Sequence, residues 1–125
     1  MPEDLPVDVR QFIDQHIESL AQLEILLLLR SQPDRRIHPS EIAKRLAITP
    51  EMSSAILQDL AYRGFAIKTE SFYQFHSSTT EMDALVQKVG EMYQVRRVAV
   101  TSAIYSKPLD RVKTFADAFR LRKEL

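Results

Sequence analysis

Residues 38–76 read HPSEIAKRLAITPEMSSAILQDLAYRGFAIKTESFYQFH, and this stretch decides the fold. It predicts a helix over Pro39–Leu46, a turn over 47–49 and a second helix over Pro50–Arg63. Each helix opens with proline, whose missing N–H is not needed in the first turn. Gly64 then ends the second helix, and two strands, Phe65–Thr69 and Phe72–His76, flank Glu70 and Ser71. This order predicts a helix-turn-helix followed by a β-wing.

Helices are predicted on both sides of this motif. An apolar stripe follows Pro6, and Leu20–Arg30, behind the N-cap Ser19, is apolar on nearly all sides. A long helix follows Thr80, and its pattern continues through Arg96 and Arg97 into 98–101, although β-branched residues there disfavour helix. The sequence thus predicts a mainly α chain: an N-terminal helix (1–18), a winged helix-turn-helix (19–78) and C-terminal helices (79–125).

Composition excludes several classes of protein. The chain has 125 residues, 45% of them hydrophobic, which predicts a folded core. It has no cysteine, and its three histidines have no metal-type spacing, so we predict no metal, cofactor or catalytic site. No apolar run is long enough to span a bilayer. We expect a cytoplasmic protein that is not an enzyme.

Charge is unevenly distributed along the chain. Residues 1–87 hold 8 basic and 13 acidic residues, a net of −5, whereas residues 88–125 hold 9 basic and 4 acidic, a net of +5. Such asymmetry marks either a nucleic-acid surface or a surface on which two copies meet.

The second helix of the motif is the test of function, because this architecture commonly places it in a DNA major groove. Its exposed face offers polar side chains but almost no cation. The predicted DNA contacts are Arg35, Arg36, Lys44, Arg45, Thr49, Ser54, Gln58 and Lys68. Scarce base-reading side chains predict contact driven by phosphates, with weak sequence preference. The alternative is a winged-helix adaptor or dimerisation module that does not bind DNA and docks on a protein partner through its basic C-terminal tail.

The aromatic residues Phe72, Tyr73 and Phe75 lie on the second predicted strand. They are either a stacking platform for single-stranded nucleic acid or part of the wing's packing. Because alternate residues of a strand point to opposite faces, one face must pack on the core. Packing is therefore the favoured interpretation.

Residues 19–29, 39–43 and 60–65 together resemble the winged-helix domain of MarR-like bacterial transcriptional regulators. Residues 93–106 and 115–120 resemble small bacterial proteins with the same layout. The resemblance implies that the second helix and wing contact duplex DNA and that the flanking helices form a dimer. This chain differs in its very short wing loop and in the missing basic residues of the second helix.

The two terminal helices carry matching apolar stripes. We predict that they pack together across a two-fold homodimer, with packing inside one chain as the alternative. The residues predicted for dimerisation are Phe12, Ile13, Val112, Phe115 and Phe119.

Overall fold

The computed structural model describes residues 5–106. They form six helices and a two-stranded antiparallel sheet in the order α1 (Val7–His16), α2 (Leu20–Ser31), α3 (Pro39–Leu46), α4 (Pro50–Tyr62), β1 (Ala66–Thr69), β2 (Phe72–Phe75), α5 (Thr80–Val95) and α6 (Arg97–Ser106). The mainly helical winged helix-turn-helix predicted from the sequence is confirmed. No helix in this range is both long and apolar enough to cross a membrane.

The helix starts follow the capping residues of the sequence. Ser19 Oγ accepts a hydrogen bond from the Gln22 amide at 3.1 Å. Thr49 and Thr79 accept in the same way from the amides of Met52 and Met82, each at 3.0 Å. Each of these bonds satisfies an amide that has no partner inside its own helix.

Helix α2 runs through the centre of the core, as its nearly continuous apolar sequence predicted. Leu23, Leu26 and Leu29 of α2 are fully buried, and they share one cluster with Leu57 of α4 and Val89 of α5. Truncating such a side chain to alanine typically costs about 2–5 kcal/mol, which is a large part of a small domain's stability. This cluster therefore fixes how the helix-turn-helix sits on the flanking helices.

The predicted continuation of the long helix is interrupted at Arg96. This residue leaves the helical region with φ −131° and ψ 52°, and α6 begins at the next position. The β-branched segment 98–101 is nevertheless helical, because Val100 is fully buried and Ala99 nearly so. Burial outweighs the modest helix propensity of these residues.

The wing is a short ribbon. Thr69 pairs with Phe72 and Ala66 with Phe75, which leaves a loop of Glu70 and Ser71 alone. In the segment before α3, Ile37 forms a single antiparallel bridge with Tyr73. Tyr73 is 2% exposed, which supports the packing interpretation of this aromatic strand.

Candidate nucleic-acid interface

The turn between α3 and α4 sets the angle of the second helix. Ala47 ends α3 in the left-handed region at φ 56°, and the Ile48 amide donates back to the Ala43 carbonyl at 3.1 Å. Ser53 then crosses between the helices, since its buried hydroxyl donates to the Pro39 carbonyl at 2.8 Å. These contacts present α4 on the surface with its inner face fixed to α3.

The exposed face of α4, defined here as Glu51, Ala55, Gln58 and Tyr62, recurs at helical spacing and points away from the core. Tyr62 is 92% exposed and Met52, at the margin, 45%. Ser54 is half-buried, so only part of this predicted contact is open to a partner. The face holds one carboxylate and no cation.

The single cation of this helical segment, Arg63, is turned towards the body of the protein. Its guanidinium donates to Asp59 at 2.7 Å and to Glu18 at 2.8 Å. Burial would lower the pKa of Arg63, but the hydrogen bond to Asp59 and the charges of both carboxylates outweigh it and raise that pKa. Arg63 therefore anchors the end of α4 to the α1–α2 junction.

Arg35 is also committed to a local partner. It donates to both carboxylate oxygens of Glu41, at 2.6 and 2.8 Å. Hydrogen bonding to Arg35 holds the pKa of Glu41 below its usual value, and the same bond raises the pKa of Arg35. The pair is exposed, so its attraction is screened by water, but the positive charge of Arg35 is largely compensated.

Three other cations around α4 are exposed and have no carboxylate partner within residues 5–106: Arg36, Lys44 and Lys68. Lys68 lies 5.9 Å from the ring centroid of Tyr73, on the wing. Lys44 belongs to α3 and Lys68 to β1, two elements that pack against α4, and Arg36 lies in the segment before α3.

Arg45, in contrast, lines a cleft formed by residues of α2, α3 and α5. The cleft has a volume of about 430 Å³ and is formed with Glu24, Leu27, Leu28, Leu46 and Tyr93. The sequence placed Arg45 with the DNA contacts because it adjoins Lys44. No sequence signal indicated the cleft, since its lining comes from α2, α3 and α5.

Thr49 and the wing tip reduce the number of side chains that are available to contact DNA. The Thr49 hydroxyl caps α4, so its oxygen already accepts a hydrogen bond from within the chain. Glu70 stands at the wing tip with φ 58°, where its carboxylate opposes approach to phosphates. Gln58 remains exposed, and its amide makes no hydrogen bond among the described residues.

The residues predicted for dimerisation fall into two groups. Phe12 and Ile13 are 2% and 0% exposed, and Phe12 packs edge-on against Phe65 with ring centroids 5.5 Å apart. Both lie inside the core of one chain and offer no surface to a second copy in this conformation. Val112, Phe115 and Phe119 lie outside the described residues, as does the basic tail.

Another apolar surface is exposed at the C-terminal helices. Val95, Val98 and Tyr105 are 74%, 77% and 57% exposed. We call these three residues the α5–α6 apolar surface. The opposite face of α6 is buried through Ala99, Val100, Ala103 and Ile104.

The order of elements, the capped turn and the outward face of α4 define a winged helix-turn-helix protein. Within this class the fold is that of the MarR-like regulators. A transcriptional regulator from Thermotoga maritima is 21% identical, with a TM-score of 0.50 over 93% of this chain and 86% of that chain. The multiple antibiotic-resistance repressor MarR from Listeria monocytogenes is 16% identical, with a TM-score of 0.51 over 94% and 84%. At the level of sequence, neither a family model nor a curated protein matches.

Proposed function

We propose that the protein is a DNA-binding transcriptional regulator of the cytoplasm that binds duplex DNA through α4 and the wing. The observation that carries this proposal is a set of three exposed cations on or beside the elements that pack against α4: Arg36 before α3, Lys44 on α3 and Lys68 on β1. None of the three has a carboxylate partner among the described residues. The two similar structures are those of a transcriptional regulator and of a multiple antibiotic-resistance repressor, and this similarity supports the same function.

Affinity in this proposal comes mainly from phosphate contacts. A protein that neutralises phosphates releases counterions, so its affinity falls steeply as salt concentration rises. Within residues 5–106, few cations near α4 lack a carboxylate partner, and Glu51 and Glu70 add negative charge. We therefore expect weaker DNA binding than a strongly basic second helix would give.

The test removes Lys44 and Lys68 together and follows duplex binding as salt is varied. The Lys44→Ala/Lys68→Ala variant should bind more weakly, and the slope of log K against log salt should become shallower by about 1.8, or about 0.9 for each lost phosphate contact. The matched control is Arg10→Ala/Lys88→Ala, because these cations lie on α1 and α5 and pair with Asp14 and Asp8. The control should keep the wild-type slope.

Unchanged binding in the Lys44→Ala/Lys68→Ala variant would show that the interface is not on α3 and the wing. Absence of duplex binding by the wild-type chain at low salt would overturn the proposal and favour the adaptor.

We further propose that the regulator is a homodimer. Two-fold dimers of helix-turn-helix proteins place their second helices about one DNA turn apart, so both can enter one face of a duplex. The α5–α6 apolar surface supports this proposal, since exposed apolar patches commonly mark contact surfaces.

A further inference from the structure

We infer that the exposed face of α4 reads A·T base pairs in the major groove, with Gln58 bonding adenine and Ala55 contacting the thymine methyl group. This inference rests on the proposed DNA-binding function and adds a base preference to it. The inferred preference is a modest difference in affinity between A·T and G·C sequences, added to phosphate binding that does not depend on sequence.

The chemistry of the face selects the base. The side-chain amide of Gln58 carries a donor and an acceptor, which match adenine N7 and N6 in the major groove. A small apolar side chain such as Ala55 fits the thymine methyl group. Both residues are exposed, and the Gln58 amide is not used by another described residue.

The spacing of these residues fits neighbouring base pairs. Ala55 and Gln58 are three positions apart on one face of α4, which separates them by about 4.5 Å along the helix axis. Successive base pairs are about 3.4 Å apart along DNA. An α4 that lies along the groove therefore places the two side chains over adjacent steps.

Guanine is disfavoured by what the face lacks. The commonest specific contact to guanine is Arg or Lys to its O6 and N7 acceptors. The exposed face has neither residue, and Arg63 is held by Asp59 and Glu18. Glu51, one turn before Ala55, only accepts hydrogen bonds, so it gives guanine O6 and N7 no donor. The amines from which it could accept, adenine N6 and cytosine N4, occur in both kinds of base pair, so Glu51 does not itself choose between them.

The experiment compares four duplexes of about 30 base pairs, or about three helical turns, at one low salt concentration. One duplex alternates A and T. The second replaces thymine with uracil, which deletes only the methyl group. The third alternates G and C. The fourth replaces guanine with inosine, which gives the minor groove of A·T but keeps the major groove of G·C.

Wild-type protein should bind the A·T duplex about tenfold more tightly than the G·C and inosine duplexes, since one good base contact gives discrimination of about this size. Uracil should weaken binding about threefold, as expected for one lost methyl contact. The Gln58→Ala variant should keep only about a threefold preference for the A·T duplex over the inosine duplex, from the remaining methyl contact, while its G·C affinity stays unchanged. Gln11→Ala, an exposed glutamine on α1, is the matched control and should keep the preference.

Each of the following binding results would contradict one part of the inference or the proposed function. Equal affinity for all four duplexes overturns the A·T inference and leaves DNA binding standing. Inosine binding as tight as A·T places the preference in the minor groove and removes it from α4. If Gln58→Ala keeps the wild-type preference for A·T, Gln58 is not the residue that reads adenine. If the wild-type protein binds none of the duplexes, the proposed function and the inference are both wrong.

Discussion

At the scale of single residues, hydrogen bonds within the chain decide which of the predicted DNA-contact residues remain available to bind DNA. Arg35 and Thr49 have the right chemistry for DNA, yet Glu41 binds the first at 2.6 Å and the Met52 amide uses the second at 3.0 Å. The Thr49 cap follows from the sequence, because Thr before Pro50 at a helix start is a known capping pattern. The Arg35–Glu41 pair does not, since its members belong to a loop and a helix whose relative position depends on the fold.

Ser53 is the residue whose single hydroxyl joins α3 to α4. It is fully buried, and its hydroxyl donates to the Pro39 carbonyl at 2.8 Å. Ser53→Ala removes this hydrogen bond between the two helices, and one such bond typically contributes about 0.5–1.5 kcal/mol to stability. We expect a lower free energy of unfolding by about this amount in urea denaturation.

Ser54→Ala is the matched control for this prediction, because Ser54 is half-buried and its hydroxyl makes no hydrogen bond among the described residues. Equal stability of the two variants would mean that the Ser53–Pro39 bond does not hold the turn.

At the scale of elements, the boundaries of the helix-turn-helix could be predicted closely because prolines and a glycine mark them. Helix α3 runs over Pro39–Leu46 as predicted, and α4 ends at Tyr62, one residue before the predicted end. The break at Arg96 could not be predicted, since the apolar spacing continues across it and no Gly or Pro marks it. The packing of α6 against α1 and α5 involves residues distant in sequence, which periodicity does not report.

A hydrogen-bonded chain joins α2 to the junction of α5 and α6. The Tyr93 hydroxyl donates to Glu24 at 3.0 Å and accepts from Arg97 at 3.1 Å. Burial raises the pKa of the Tyr93 phenol, and the hydrogen bond and negative charge of Glu24 raise it further. The folded state therefore favours the protonated phenol more than the unfolded chain does.

This pKa shift gives a prediction with a defined sign. The pKa of the Tyr93 phenol is higher in the folded state than in the unfolded chain, where it is about 10. The contribution of Tyr93 to the free energy of unfolding is therefore complete below the unfolded pKa and is lost as pH rises through the folded pKa. Wild-type protein should therefore lose more of its free energy of unfolding between about pH 9 and pH 11 than Tyr93→Phe does. Tyr62→Phe, at a site 92% exposed, should follow the wild type. If the free energy of unfolding of Tyr93→Phe and of the wild type changed with pH in the same way, the prediction that Tyr93 causes the loss would be wrong.

At the scale of the whole molecule, the sequence predicted the fold class but not which apolar side chains stay on the surface. The apolar stripe of α1 predicts a dimer contact, because an amphipathic helix has the same sequence pattern whether it packs inside one chain or between two. In the structure Phe12 and Ile13 are buried in the core, while Val98 and Tyr105 are 77% and 57% exposed. The exposure of an apolar side chain depends on which helices lie next to one another in the fold, and this arrangement cannot be predicted from helical spacing alone.

We therefore expect the dimer contact to involve the α5–α6 apolar surface. Val98 and Tyr105 are seven positions apart on α6 and share one face, opposite the buried face of Ala99 and Ala103. A charge at Val98 in a dimer contact loses apolar burial and is itself desolvated. Val98→Lys should weaken dimerisation at least about tenfold, or about 1.4 kcal/mol, as measured by sedimentation at micromolar concentrations.

Tyr62→Lys is the control for Val98→Lys, because it adds the same charge at an exposed aromatic residue of α4. It should leave the dimer intact, and both variants should keep the wild-type circular dichroism. A chain lacking residues 107–125 measures the contribution of the segment that contains Val112, Phe115 and Phe119. A truncated chain that stays dimeric and still responds to Val98→Lys places the contact on α5 and α6. A full-length chain that is monomeric at micromolar concentration would contradict the dimer.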